Sequence, residues 1–390
     1  VRIEPGYSGS TIHVLDASRG VGVASNLLSD DLSAAFVEKI RAENEDARRR
    51  HIAKDSAARA LSLEKARANK PDIDWSGWQP TTPAMPGVHV LDDYSLAELR
   101  DRIDWTPFFR AWELIGTYPA ILEDDTVGET ATALFEDAER MLYQIIEEKW
   151  LTARGVFGLF PANSDGAESI EIYADEDRTD VVSHFHTIRQ QINRDAGAKK
   201  TRANFALADF VAPVDSGIGD YIGGFAVTAG IGIDEHVARF EAANDDYNAI
   251  LIKALADRLA EAFAERLHER VRNEFWGYAP SERLDNTDLI KETYQGIRPA
   301  PGYPACPDHT EKEGLFSLLS VTDKVGIELT ESFAMLPTAA VSGFYIAHPE
   351  ARFFGTGKIA KDQVEDYARR KGIDLATAER WLAPILGYER

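Results

Sequence analysis

Between residues 251 and 271 the apolar positions Leu251, Leu255, Leu259, Phe263, Leu267 and Val271 step by four, and Asp257, Glu261 and Glu265 repeat at the same interval. A four-residue step keeps side chains on one side of a helix. The pattern therefore predicts an apolar stripe, an acidic stripe beside it, and the chain's longest helix within residues 234–277. Like charges one turn apart repel, and neighbouring arginines offset that cost. Helical periodicity also marks residues 130–149 and 181–194. By contrast GVFGLFP, IEIYAD, NFALADFVAP, YIGGFAVTAGIG and VSGFYIAHP are short apolar runs rich in β-branched and aromatic residues, and they read as strands. Helices come in blocks between runs of strands, without regular alternation of the two. The expected fold class is α+β, a body with a largely antiparallel sheet and surrounding helices.

The start of the chain has a different texture. Thr11–Leu15 is a β-branched and apolar run, Asp16-Ala17-Ser18 follows it, and Val21–Leu28 carries an apolar helical pattern. This reads as one strand-to-helix unit, the remnant of an α/β domain. Residues 31–70 are rich in Ala, Glu, Lys and Arg without a broad apolar stripe, which predicts a solvated helical connector. The chain opens on Val1, with no basic-then-apolar leader after it, and so reads as a piece of something longer.

Charge narrows the partners. The formal net charge is -22, and residues 71–390 hold 31 Lys and Arg against 55 Asp and Glu, so the acidity sits in the C-terminal body. Such a body disfavours nucleic acid, whose phosphates need clustered cations, and favours cationic ligands. The longest mostly apolar run, near Gly223–Ile233, is far short of the roughly 20 residues that cross a bilayer, so no membrane partner is expected. The single cysteine, Cys306, excludes an internal disulfide framework and fits a reducing cytoplasm.

The densest candidate chemistry lies in RPAPGYPACPDH, from Arg298 to His309. Its prolines forbid a regular helix and deny a sheet its donors, so the backbone must be stiff and specifically shaped. Cys306 beside His309 could be a nucleophile, but a lone cysteine in such a loop is more often a small packed residue. Glu265-Arg266-Leu267-His268 matches the Glu-x-x-His spacing of carboxylate-bridged metal bundles, yet no second such motif is found. His184 and His186 alternate as strand-borne ligands would, within a stretch that otherwise reads as helical. Gly355-Thr356-Gly357-Lys358 lacks the spacing of a phosphate loop. There remain Arg298, Tyr303, Asp104 in an Asp-Trp-Thr-Pro turn, and the Phe353-Phe354 pair. Together they would suit a zwitterionic amino acid joined to an aromatic cationic body, while each alone has an ordinary structural explanation.

The run RPAPGYPACPDHTEK at 298–312, with IDWTPFF at 103–109, RGVFGLFPAN at 154–163, LADRLAEAFAERLHERVR at 255–272 and QVEDYARRKG at 363–372, closely resembles the C-terminal part of the cobalamin-dependent methionine synthases. The match covers essentially the whole chain. It implies a cobalamin-binding-domain tail at 1–30, a helical linker at 31–53 and an activation domain at 54–390. It further implies S-adenosylmethionine binding through an Arg-x-x-x-Gly-Tyr motif, here Arg298, Gly302 and Tyr303, with Arg298 on the ligand's carboxylate. Asp104 falls where the family meets the ligand's amino group, and Phe353 with Phe354 where it adds contacts, although tyrosines are familiar at that pair. Glu261, with Asp257 and Glu292, would place negative charge near the sulfonium. Ala17 matches a cobalamin-contact position, whereas the Asp-x-His-x-x-Gly motif that ligates cobalt is absent. Cobalamin would be bound mainly by other parts of the enzyme, and zinc would belong only to the full-length chain. The implied role is reactivation: one electron from a flavodoxin-like or flavoprotein reductase and a methyl group from S-adenosylmethionine restore methylcobalamin. The enzyme itself moves a methyl group from 5-methyltetrahydrofolate to homocysteine. No residue here is expected to be a general acid, a general base or a metal ligand. The rival readings are a non-catalytic module that only docks a reductase, and an independent metal or cysteine enzyme.

Overall fold

The computed structural model describes residues 7, 9–14, 17–29, 31–57, 60–193 and 202–389, without the side chains of 17–19 and 50–57. The chain divides into two compact units, Val1–Leu61 with Ile192–Arg202, and Ser62–Gln191 with Ala203–Arg390.

In the first unit α1 (Ala17–Leu28) and α2 (Ser33–Ala57) are helical, as the patterns predict. Residues 11–14 form no strand, contrary to the reading of Thr11–Leu15, and Leu15 lies outside the described residues. A lone β-branched run needs a neighbour to complete its hydrogen bonds, and none is present among the described residues. Instead the Thr11 carbonyl accepts from the Asn44 side chain at 2.9 Å.

The second unit is built on a six-stranded sheet. Its strands are β1 (Gly87–Tyr94), β2 (Thr152–Ser164), β3 (Ser169–Tyr173), β4 (Val181–His186), β5 (Asp220–Ile231) and, after a small hairpin of β6 (Glu328–Leu329) and β7 (Met335–Leu336), β8 (Ala340–Tyr345). The order is β4-β3-β2-β5-β8, with β1 also on β2, and every named pair is antiparallel. Around it lie α3 (Leu63–Ala68), α4 (Leu96–Arg100), α5 (Thr106–Ala111), α6 (Gly128–Glu147), α7 (Ile233–Ala242), α8 (Asp246–Arg270), α9 (Asn286–Ile290), α10 (Glu311–Leu319), α11 (Val321–Val325), α12 (Lys361–Lys371) and α13 (Leu375–Trp381).

The central strands are apolar almost throughout because both faces of the sheet are covered. Phe157, Phe225 and Tyr345 share a core with Leu255, Leu259 and Phe263 of α8. Their neighbours Val156, Ala226 and Phe344 join a second core with Leu315 and Leu319 of α10. Successive side chains on a strand point to opposite faces, so each strand feeds both cores. The α8 stripe is buried from Leu251 to Val271, as its spacing predicts. The expected long helix lies within 234–277 as α8, equalled in length by α2, and it starts where Asn244 takes a left-handed backbone with φ 55° and Asp245 caps it by accepting from Asn248 N.

Three further expectations are corrected. Residues 181–186 form a strand, not part of a helix, because β-branched Val181 and Val182 and the alternating Phe185 suit pairing with β3. NFALADFVAP is no strand but a tight turn at Leu207–Phe210, drawn in by Asp209, whose carboxylate accepts from Ala206 N and grips the buried Arg189. Within the predicted solvated connector, Leu63 and Ala66 of α3 are buried. No helix among the described residues is long and apolar enough to cross a membrane.

Candidate functional site

The loop that begins at Arg298 is laid along β8. Ile297 and Ile346 exchange backbone hydrogen bonds of 2.9 and 3.0 Å, and Phe344 N donates to Pro299 O at 2.9 Å. This approach is close enough that a Cβ on Gly343 would sit 2.7 Å from the Pro299 carbonyl. The chain then turns back on itself, with Gly302 N donating to Cys306 O at 2.7 Å and Cys306 N to Tyr303 O at 2.9 Å. Gly302 has φ +99°, and a Cβ there would meet the His309 ring at 2.2 Å, so only glycine fits. His309 is braced in turn by the Lys312 ammonium, which donates to its Nδ1 at 3.0 Å. Burial and then Lys312 lower the His309 pKa, keeping the ring neutral.

At the far end Asp308 accepts from Thr310 N and from the Tyr367 hydroxyl of α12. Lys371 reaches both Asp308 and Glu311, and Glu311 accepts from His186 N. Cys306 sits inside the second core, and burial first, then Glu311 and Asp308, push its thiol pKa well up. That disfavours the thiolate a nucleophile requires.

Arg298 is gripped from behind. Its guanidinium pairs with Glu265 at 2.7 Å and donates to the Tyr294 hydroxyl at 2.7 Å, with a longer 3.4 Å contact to His268 Nδ1. Burial acts against the Arg298 charge, but Glu265 and Tyr294 outweigh it and hold the pKa above its ordinary value. His268 is pushed well below its ordinary pKa by burial, then by Arg272 and Arg298, and is neutral. Tyr303 is 60 % exposed, and its pKa is raised by partial burial and then by Glu261, while Arg258 and Arg298 draw it down. Tyr303 therefore lies within electrostatic reach of both Glu261 and Arg298. Glu292 joins them: burial and Glu265 raise its pKa, and Arg298 lowers it. Burial also raises Asp257 on α8, with Arg258 opposing.

Other residues singled out from the sequence are more scattered. Asp104, half-buried, accepts from Thr106 N at 3.0 Å at the start of α5, and among the described residues it shares no hydrogen bond or ion pair with Arg298 or Tyr303. Thr356 N donates to Pro304 O at 2.9 Å, which ties the Phe353–Phe354 segment to the loop. Phe353 is 41 % exposed, whereas Phe354 packs on Phe205 with ring centroids 5.8 Å apart. Ala17 opens α1, and its side chain lies outside the described residues. His184 and His186 do stack, at 5.7 Å, but His186 Nδ1 meets Ser169.

Glu265 and His268, first weighed as a metal motif, both face Arg298 instead. Among the described residues no group of three or more His, Cys, Asp or Glu is placed to hold a metal. Tyr294 escaped the sequence reading; four residues before Arg298, its only signal was position. A recess of about 610 Å³ lined by Arg102, Glu269, Arg283 and Asp285 opens past the end of α8, and its lining omits Arg298 and Tyr303.

Comparison with known proteins identifies the family. A crystal structure of the MetH reactivation domain bound to AdoHcy is 55% identical in sequence and superposes with a TM-score of 0.81, covering 85% of this chain and 99% of that one. Residues 95–372, more than half of the chain, match the family described as vitamin B12 dependent methionine synthase, activation domain. The chain belongs to that family.

Proposed function

We propose that the chain binds S-adenosylmethionine at the Arg298–Tyr303 loop and presents its sulfonium methyl group for reactivation of a longer methionine synthase. In this reading residues 1–30 are the tail of the cobalamin-binding domain, 31–53 a linker and 54–390 the activation domain. The observation that carries the reading is Arg298, fixed by Glu265 and Tyr294 at the head of the loop that carries Tyr303. The relative's ligand supports the substrate class, because S-adenosylhomocysteine is what S-adenosylmethionine becomes when its methyl group leaves.

Arg298 takes the ligand's carboxylate with N–H donors its own partners leave uncommitted, and Asp104 takes the ammonium. Gly302 lets the loop turn tightly over His309, while Tyr303 and Phe353 offer ring faces and Phe354 adds a contact from the same segment. Glu261, Asp257 and Glu292 set negative charge near the sulfonium. Methyl transfer from sulfonium moves no proton, so these residues need no general acid or base. They orient the methyl group and exclude water. Cobalamin, held mainly by the rest of the enzyme, would supply the methyl acceptor, and a flavodoxin-like or flavoprotein reductase would supply the electron. Methyl transfer from 5-methyltetrahydrofolate to homocysteine, and its zinc, belong to the full-length enzyme.

Calorimetric titration of S-adenosylmethionine tests this. Arg298→Ala is expected to lose roughly 1.5–3 kcal/mol, the worth of a charged hydrogen bond, or about 10- to 100-fold in affinity. Equal affinity for both proteins overturns the reading.

A further inference from the structure

Glu265 and His268 lie three positions apart on α8 and so project from the same side of the helix. Both reach the same guanidinium. Glu265 Oε2 pairs with Arg298 at 2.7 Å, and His268 Nδ1 lies 3.4 Å from the other terminal nitrogen. The Glu265 side chain is only 12% exposed, and its Oε1 is buried with no hydrogen-bond partner among the described residues. Among the described residues Arg298 is thus the one ion-pair partner that compensates the burial of this carboxylate, so the two are fixed together rather than meeting by chance on the surface.

His268 is fixed more firmly still. Its ring is fully buried, stacks on Tyr345 at 5.1 Å and meets Tyr294 edge-on at 5.0 Å. Arginine only donates, so Nδ1 must accept, the ring proton sits on Nε2, and Nε2 points it at the Tyr278 hydroxyl 3.4 Å away. Tyr294, which accepts from Arg298, is itself covered by the Arg272 guanidinium 4.1 Å from its ring centre, and Arg272 is anchored on Glu282 at 2.8 Å. Two of the three partners of Arg298, His268 and Tyr294, are therefore held by further neighbours, and the third, Glu265, is held by Arg298 itself. A guanidinium free to rotate would lose side-chain entropy when a ligand immobilised it; this one has little left to lose.

We infer that Glu265 and His268 are positioning residues which preset Arg298 for the carboxylate of its ligand, so that their contribution to binding runs through that carboxylate alone. The inference rests on the proposal that Arg298 grips the carboxylate of S-adenosylmethionine.

The test is a cycle between protein and ligand, titrating the whole chain with S-adenosylmethionine and with its decarboxylated analogue, which keeps the sulfonium, the amine and the adenosine. Glu265→Gln keeps shape and removes charge. It is expected to weaken S-adenosylmethionine about tenfold, the size of one charge-assisted hydrogen bond, and to leave the analogue within about twofold. His268→Asn, which keeps an acceptor near the Nδ1 position, should retain more of the discrimination than His268→Gln, which moves it. Tyr294→Phe removes one hydroxyl and serves if the histidine variants do not fold. Equal weakening of both ligands by Glu265→Gln means a merely structural role and overturns the inference, as does no weakening of either. Arg298→Ala separates the two levels: if it too fails to discriminate between the ligands, the carboxylate grip itself is wrong; if it discriminates and Glu265→Gln does not, only the positioning role falls.

Discussion

The two ends of the Arg298–His309 loop are held by charged clusters of opposite character. At the Asp308 end, Asp308, Glu311, Tyr367 and Lys371 are all mostly buried, and each meets at least two of the others. At the Arg298 end the guanidinium is held by Glu265, yet Glu292 within its electrostatic reach forms no ion pair among the described residues, Glu265 keeps an unpartnered oxygen, and Tyr303 is exposed. A closed network holds a loop, whereas an open one retains capacity for a ligand. The contrast teaches that charge density alone does not mark a site; incomplete pairing does.

Removing a charge at the closed end should do the greatest harm to folding. Lys371→Met leaves Asp308 and Glu311 buried without their cation and is expected to cost about 3–5 kcal/mol in denaturant unfolding. Ligand affinity of the folded fraction should change little; a large loss would erase the distinction between the ends. Gly302→Ala acts between them, straining the backbone and displacing His309. It should cost roughly 1–3 kcal/mol of stability, with a matching loss of S-adenosylmethionine affinity by calorimetry.

Acid should separate the ends by sign. Burial, then Arg370 and Lys371, lower the His186 pKa to about 3, so this ring enters the folded state neutral. Its contribution to stability is complete above the unfolded value of about 6.5 and is lost as pH falls below it. Asp257 and Glu292 have raised pKa values, so their charge is a burden that acid relieves, and they neutralise above the usual carboxylate range of about 4. Thermal unfolding across this range should show a shallower pH dependence in His186→Gln than in the parent. Over the same range the preference for S-adenosylmethionine over S-adenosylhomocysteine, whose sulfur carries no charge, should shrink; a preference independent of pH would remove the acidic residues from the proposed sulfonium subsite. The smallest effect is expected from Phe353→Tyr. Stability should hold within about 0.5 kcal/mol at this exposed ring, and affinity should rise by about 0.5–1.5 kcal/mol if the restored hydroxyl finds a partner.

Much of the fold was legible because burial enforces periodicity. The step of four in α8 and the unbroken apolar runs of β2 and β5 both follow from covered faces. Residues 181–186 and 204–213 were misread because their conformations depend on distant partners. β4 exists because β3 offers it a ladder, and the turn at Leu207–Phe210 forms around an aspartate drawn to Arg189, so local propensity could decide neither. At the site, the resemblance led to Arg298, Gly302 and Tyr303. The partners of Arg298 stayed hidden because Glu265 lies 33 positions earlier in the chain, where the Glu-x-x-His spacing fits a metal equally well.

The seat of the loop on β8 has one more consequence, for colloidal behaviour. β8 ends the sheet on its side, and an open edge strand invites pairing with other chains. Ile297 and Pro299 occupy hydrogen-bonding positions along that edge, and Pro299 and Pro301, lacking N–H groups, cannot template a further strand beyond it. The segment proposed to receive the ligand therefore also guards the sheet against self-association, so lesions that detach it should surface first as insoluble protein rather than as weak binding.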